Sequence, residues 1–198
     1  MKPIILASAS ARRQELLTQI GVHFSVRSQD IDESIRPREP AHDYVLRMAQ
    51  EKADSALTEL AANEESESFL VLAADTSVVC DAWVLGKPVS EDDAVAMLRR
   101  LSGREHRVLS AVTVASQTKQ RSVLSESRVT FREISVEEAQ RYYRSGEPQG
   151  KAGAYAIQGY GAVFVENLQG SYSGVMGLPL FETAQLLSEF AVPMQAKD

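Results

Sequence analysis

The stretch from Pro3 to Leu17, PIILASASARRQELL, narrows the fold more than any other in the chain. The apolar run Ile4 to Leu6 gives way to the small residues Ala7 to Ser10, then to Arg12 and Arg13, then to a helical pattern in Leu16, Leu17 and Ile20. That order predicts a strand, a tight loop and a helix. Ser10 is an N-cap residue type, Ala11 and Gln14 to Leu17 favour helix, and Gly21 sits where a C′ glycine would stop it. A loop of small residues entering a helix N-terminus offers free N–H groups and the positive end of the dipole, which together favour an anion. Two arginines there oppose the macrodipole. A phosphate-bearing ligand explains them, and so would surface arginines bridged to carboxylates.

Strand and helix patterns alternate from there on. Val22, Phe24 and Val26 alternate with polar residues as a half-buried strand would, and an acidic loop follows with Asp30, Asp32 and Glu33. Asp43 to Leu60 carries Val45, Met48, Ala49, Ala53, Ala56 and Leu60 on one helical face. Lys52 falls inside that stripe, so its ammonium either snorkels past the core edge or reaches into a site. After the acidic loop Glu64 to Ser68, the apolar strand Phe69 to Ala74 is expected to stop at Asp75-Thr76 and resume at Ser77. A carboxylate on a buried strand is costly unless paired, protonated or bound to metal, which singles out Asp75.

Gly86-Lys87-Pro88 reads as a turn, and Ser90 with Asp93 as a capping-box-like helix start that runs to Leu101-Ser102-Gly103. Arg107 to Ala115 and Arg121 to Phe131 read as a hairpin, and Ser135 with Glu138 as the capping box of a short helix. Gly150 to Gly161, GKAGAYAIQGYG, holds four glycines, which allow either close approach of backbone to a ligand or sharp turning. A strand is expected over Ala162 to Val165, and Pro179 as the N1 residue of a C-terminal helix through Phe181, Ala184, Leu187 and Phe190.

Composition excludes several classes. A net charge of −6 argues against broad binding of nucleic acid or of acidic membranes, and 198 residues suit one domain, with room for two lobes. The one cysteine, Cys80, follows Val78 and Val79 and reads as a buried, inert thiol. The first apolar run is too short for a secretion signal and no segment reaches transmembrane length, so a soluble, cytoplasmic protein is expected. His23, His42 and His106 lack metal-ligand spacing, and neither a GxSxG elbow nor a kinase motif set is present. Arg12, Arg13, Glu33, Lys52, Asp75 and Lys87 remain, a set suited to a metal-bound polyphosphate: carboxylate oxygens for the cation, cations for the phosphates.

The motifs SASARR (Ser8 to Arg13), IDE (Ile31 to Glu33), EKA (Glu51 to Ala53), AADT (Ala73 to Thr76), GKP, LSG, KAGAYAIQG (Lys151 to Gly159) and GLPL (Gly177 to Leu180) resemble, in order, those of the Maf family. One departure is Ala11, where the family usually has proline; at N1 its loss should loosen the helix start slightly. The resemblance implies an α/β fold: an elongated mixed sheet flanked by helices, two lobes around a central cleft, similar to the inosine triphosphate pyrophosphatases, in a single domain over 1–198. It implies hydrolysis of a nucleoside triphosphate to monophosphate and pyrophosphate with a divalent cation, Mg²⁺ or Mn²⁺. Asp75 matches the acid proposed to activate water and Glu33, with Asp75, the metal site. Ser8, Arg13, Lys52 and Lys87 match the phosphate-binding positions. Arg12, Thr76 and Gln158 match the branch that prefers dTTP and UTP, where another branch, taking 7-methyl-GTP, resembles tryptophan, glutamine and glutamate. The implied partner is the nucleotide itself, with no nucleic acid or membrane, and a homodimer is among the assemblies the resemblance allows. The alternative is a non-catalytic, nucleotide-binding regulator of septum formation.

Overall fold

The structure, a computed structural model, describes residues 2–62 and 69–194; the acidic loop expected at Glu64 to Ser68 lies outside them. Its sheet is mixed and seven-stranded: β1 (Ile4–Leu6), β2 (Phe24–Val26), β3 (Leu70–Cys80), β4 (Trp83–Leu85), β5 (Glu105–Ala115), β6 (Gln120–Phe131) and β7 (Val165–Gln169). The order is β2-β1-β3-β5-β6-β7, and β4 pairs with β3 off that path. The chain divides into two compact units, one of residues 1–75, 110–125 and 177–198, the other of 76–109 and 126–176, with β3, β5 and β6 contributing residues to each.

In the first unit β1 pairs in parallel with both β2 and β3, in register Ile4 with Phe24 and Ile4 with Leu70. All of β1 is buried, as a strand with parallel neighbours on both sides requires. β2 is shorter and more exposed than the alternation at Val22 to Val26 predicts: Phe24 is half-buried and Val26 exposed, because β2 lies at the sheet edge. Helix α1 (Ala11–Gln19) closes as expected. Gly21, at φ 68°, donates to Thr18 and Val22 donates to Leu17, a Schellman ending that needs the left-handed conformation glycine tolerates. Helix α2 (Ala41–Ala62) buries Val45, Met48, Ala49, Ala53, Ala56 and Leu60, and Lys52 with them. Ile5, Ala7, Val71, Ala73 and Ala115 meet Ala53, Ala56 and Leu60 in one apolar cluster, where small side chains let helix and sheet approach closely.

The second unit holds α3 (Glu91–Leu101), α4 (Val136–Arg144) and the short α5 (Tyr172–Met176); α6 (Leu180–Glu189) belongs to the first. Ser90 accepts from Asp93 N, and Ser135 and Glu138 form the full reciprocal box. Helices α3 and α4 pack together over a core that includes Leu98, Leu101, Phe131, Ile134, Tyr142, Tyr155 and Phe164. Cys80 is buried in this core, and burial pushes its thiol pKa up. Among the described residues no helix is long and apolar enough to cross a membrane.

Several expectations are corrected. β3 does not stop at Asp75-Thr76 but runs unbroken from Leu70 to Cys80. Beyond it, Asp81 at φ 54° turns the chain into β4, which pairs antiparallel with β3. Tyr160–Phe164 forms a 3₁₀ turn, and the strand after the glycines starts only at Val165. Pro179 is the N-cap of α6, one position before N1, and Phe181 is exposed while Thr183, Leu186 and Leu187 face inward.

Candidate active site

The residues with chemical potential in the first unit gather where β1, α1, α2 and β3 bring them. Lys52, on the buried face of α2, extends its ammonium to Asp75 Oδ1 at 2.9 Å and to Glu33 Oε1 at 2.6 Å. An ammonium beside apolar helix residues is stabilised by such partners, and the Asp75 carboxylate on its strand is stabilised in turn. The side chains of Lys52 and Asp75 are buried to about the same degree, at 10% and 13% exposure, whereas Glu33 at 47% faces solvent. The Lys52 stem crosses the core edge and its ammonium joins two acids.

Glu33 is irregular backbone that the start of α2 holds in place. The Tyr44 hydroxyl donates to the Glu33 carbonyl at 2.9 Å, and Arg47 donates to the Ser34 carbonyl at 3.0 Å. Arg47 also grips Glu39 with two bonds of 2.6 and 2.7 Å, which draws the Glu39 carboxyl down to about 2. Burial, with Asp75 and Glu33 nearby, pushes the Tyr44 phenol up to about 12, so it stays protonated and remains a donor.

At the start of α1, Ser10 occupies the N-cap position, but its hydroxyl caps nothing. That departs from the expected cap, since the Ser10 hydroxyl accepts from no N–H of the first turn. The neighbouring Ser8 is buried, accepting from Arg13 at 3.0 Å and from Ser10 N at 3.3 Å. Arg13 also donates through Nε to the Gly177 carbonyl at 2.9 Å. Its guanidinium feels burial first, which lowers its pKa, and then the opposing pull of Asp75. Arg12 differs: burial lowers its pKa, Glu15 partly offsets this, and its buried Nε has no hydrogen-bond partner among the described residues. A buried guanidinium donor left unmatched at a helix start is a place for a ligand oxygen. No acid in the first turn competes for it.

Thr76, Lys87 and Gln158 belong to the second unit. Thr76 is half-buried on β3. Lys87 is exposed in the turn after β4, where Gly153 N donates to the Gly86 carbonyl at 3.0 Å. Gln158 is exposed in a turn between two 3₁₀ segments. Sequence reasoning missed the fastening residues Tyr44, Arg47 and Glu147; only their contacts in the fold distinguish them from ordinary surface side chains.

The sequence profile of the family described as Maf-like protein matches residues 3–190. The chain belongs to the Maf family. Curated Maf relatives include the dTTP/UTP pyrophosphatase of Hahella chejuensis, 51% identical over 96% of this chain and 92% of that protein. The dTTP/UTP pyrophosphatase of Cupriavidus metallidurans is 52% identical over 94% and 96%. Among solved structures, the Staphylococcus aureus Ham1 protein aligns with 96% of this Maf chain and 100% of its own, at 12% identity and a TM-score of 0.46, a likeness too slight to carry weight.

Proposed function

We propose that this Maf protein hydrolyses dTTP and UTP between the α and β phosphates, releasing the monophosphate and pyrophosphate. The observation that carries the proposal is the convergence of Lys52 with Glu33 and Asp75 in the unit that also holds Arg12 and Arg13 at the start of α1. Relatives at about half identity that bear the name dTTP/UTP pyrophosphatase support it.

Each role follows from the chemistry of its group. The N–H groups at the start of α1, with Arg13 and the Lys52 ammonium, would suit phosphate oxygens, and Ser8 sets the Arg13 guanidinium. Lys87 would add a further cation. Asp75 would accept the proton of the attacking water while the bridging P–O bond breaks and pyrophosphate departs with its electron pair. Lys52 keeps that carboxylate oriented through Oδ1. A divalent cation, Mg²⁺ or Mn²⁺, fits the donor set, since hard cations of this kind are held by one or two carboxylates together with substrate phosphates. Glu33 and Asp75 would hold it, and when bound it neutralises charge on the triphosphate. Arg12, Thr76 and Gln158 would set the preference for a pyrimidine, with the Gln158 amide able both to donate to and accept from the base edge.

The test is a product assay with Mg²⁺ or Mn²⁺ across dTTP, UTP, CTP, GTP, ATP and 7-methyl-GTP, separating pyrophosphate from orthophosphate. The expected result is monophosphate plus pyrophosphate, formed fastest from dTTP or UTP. Orthophosphate with diphosphate, or no turnover in a folded sample that binds nucleotide, would reject the proposal.

A further inference from the structure

The glycines of Gly150 to Gly161 could serve a ligand or a turn, yet two of them answer to a neighbour in the same unit. A Cβ at Gly159 would overlap the carboxylate of Glu147, and one at Gly161 would stand 2.7 Å from the Tyr142 hydroxyl. Both positions are filled by this protein's own atoms, at Gly161 by the Ala156 carbonyl at 2.7 Å as well as the Tyr142 hydroxyl. Glu147 accepts three hydrogen bonds: from the Tyr142 hydroxyl at 2.6 Å and Gly161 N at 3.0 Å on Oε1, and from Tyr160 N at 2.9 Å on Oε2. The Tyr142 hydroxyl accepts in turn from Ala156 N at 3.1 Å. One carboxylate and one phenol thus fasten both ends of the span from Ala156 to Gly161, and Gln158 stands exposed between the fastened ends. Burial presses the Glu147 carboxyl pKa upward, but the hydrogen bonds from Tyr142, Gly161 and Tyr160 outweigh it and leave the pKa below its usual value. Tyr142 is pushed the other way, by burial first and by Glu147 second, so donor and acceptor keep their roles.

We propose that Glu147, acting with Tyr142, is the positioning residue that sets Gln158 for reading the pyrimidine base, an inference that rests on the base-reading role of Gln158 given above. Uracil offers an N3–H donor and an O4 acceptor, where cytosine offers an N3 acceptor and an N4 donor. A glutamine amide can satisfy either edge by turning over. Discrimination therefore depends on where the amide stands against the base, and a turn held in one place limits the approaches open to it, whereas a mobile turn would let it shift to suit either edge. Glu147 supplies that fixity from outside the motif.

The experiment compares kcat/KM for UTP and CTP in the full-length protein and in Gln158→Ala, Glu147→Gln, Tyr142→Phe and the double variant Glu147→Gln/Gln158→Ala, with inhibition by inorganic tripolyphosphate as the measure of the phosphate site. In Glu147→Gln and Tyr142→Phe the UTP to CTP ratio should fall by about tenfold, the loss of one discriminating contact. Tripolyphosphate inhibition should be retained, and the double variant should discriminate no worse than Gln158→Ala alone. If Gln158→Ala collapses the ratio while Glu147→Gln and Tyr142→Phe keep it, Glu147 does not act through Gln158 and the inference is overturned. If Gln158→Ala itself keeps the ratio, the base-reading role fails and the inference with it. A loss of ratio only in step with loss of tripolyphosphate inhibition is general disruption, and also overturns it. Should Glu147→Gln fail to fold, Tyr142→Phe decides, since it keeps the ring edge-on to Phe164 at 5.1 Å and removes only the hydroxyl.

Discussion

Glu33 and Gln158 both sit on irregular backbone, one in each unit, and the two stretches are fastened by different chemistry. Around Glu33 the fastening is mainly charge against charge: Arg47 with Glu39 and Glu51, and Arg36 with Glu51, partly open to solvent. Around Gln158 a single carboxylate gathers neutral donors beside a buried aromatic cluster of Tyr142, Tyr155, Phe131 and Phe164. The contrast fits the two tasks. A carboxylate proposed to hold a cation gains from a setting whose charges already balance, while an amide proposed to read hydrogen-bond edges needs fixed position more than fixed charge.

The largest expected effect probes the charged side. Asp75→Asn keeps the shape of the side chain and removes its capacity to accept a proton, so pyrophosphate release should fall by about 10²- to 10⁴-fold, the usual reach of general base catalysis. The measurement is single-turnover pyrophosphate release with saturating UTP, beside a melting curve to verify the fold. Retention of more than about a tenth of the rate would remove Asp75 from the base role.

Much of this arrangement is legible in the sequence, and the rest fails to be for identifiable reasons. The stripe on α2 already places Lys52 inward, because helical periodicity is local. The continuation of β3 through Asp75 is not local: what offsets a carboxylate in mid-strand is Lys52, 23 residues away, and no pattern within the strand records it. The break expected at Asp75-Thr76 comes from the same gap. Similarly, Gly159 and Gly161 look like room for a ligand until Glu147 is found against the first and the Tyr142 hydroxyl and Ala156 backbone against the second, since a sequence shows where a Cβ is missing but not what takes its place. The hydroxyl of Ser10 marks the start of α1 correctly while capping nothing, because residue type reports a preference and the neighbouring Ser8 and Arg13 settle the hydrogen bonds.

The second prediction sharpens the contrast through acid. His106, buried in the second unit, shares a 2.9 Å hydrogen bond with the Tyr155 hydroxyl, while its Nδ1 has no partner among the described residues. Burial lowers its pKa from 6.5 to about 4. Below pH 6.5 the unfolded chain takes up a proton here and the folded chain does not, so stability falls as pH drops from 6.5 to about 4, and this group adds no further loss below that. Across the window the loss amounts to about 3 kcal/mol. Glu39, drawn down to about 2 by Arg47, keeps its contribution above pH 4.5, so the charged fastening is not the part that weakens first. Melting temperatures of the protein and of His106→Gln between pH 7 and 5 should therefore differ in slope, the variant being flatter. Equal slopes would place the acid-labile group elsewhere.

The smallest expected effect compares two tyrosine hydroxyls in matched roles. Tyr44 donates one hydrogen bond, to the Glu33 carbonyl, whereas Tyr142 both donates to Glu147 and accepts from Ala156. Tyr44→Phe should therefore cost roughly 1 kcal/mol, the net value of one hydrogen bond, and raise the Mg²⁺ concentration for half-maximal turnover by about fivefold. The UTP to CTP ratio should not move, because the change touches the stretch that carries Glu33 and leaves the turn of Gln158 alone. A Mg²⁺ titration of turnover on each nucleotide reads both quantities in one series. Should the ratio move with the Mg²⁺ requirement, the two stretches would be energetically coupled, and the division of labour between a charge-fastened carboxylate and a turn-fastened amide would give way to a single network.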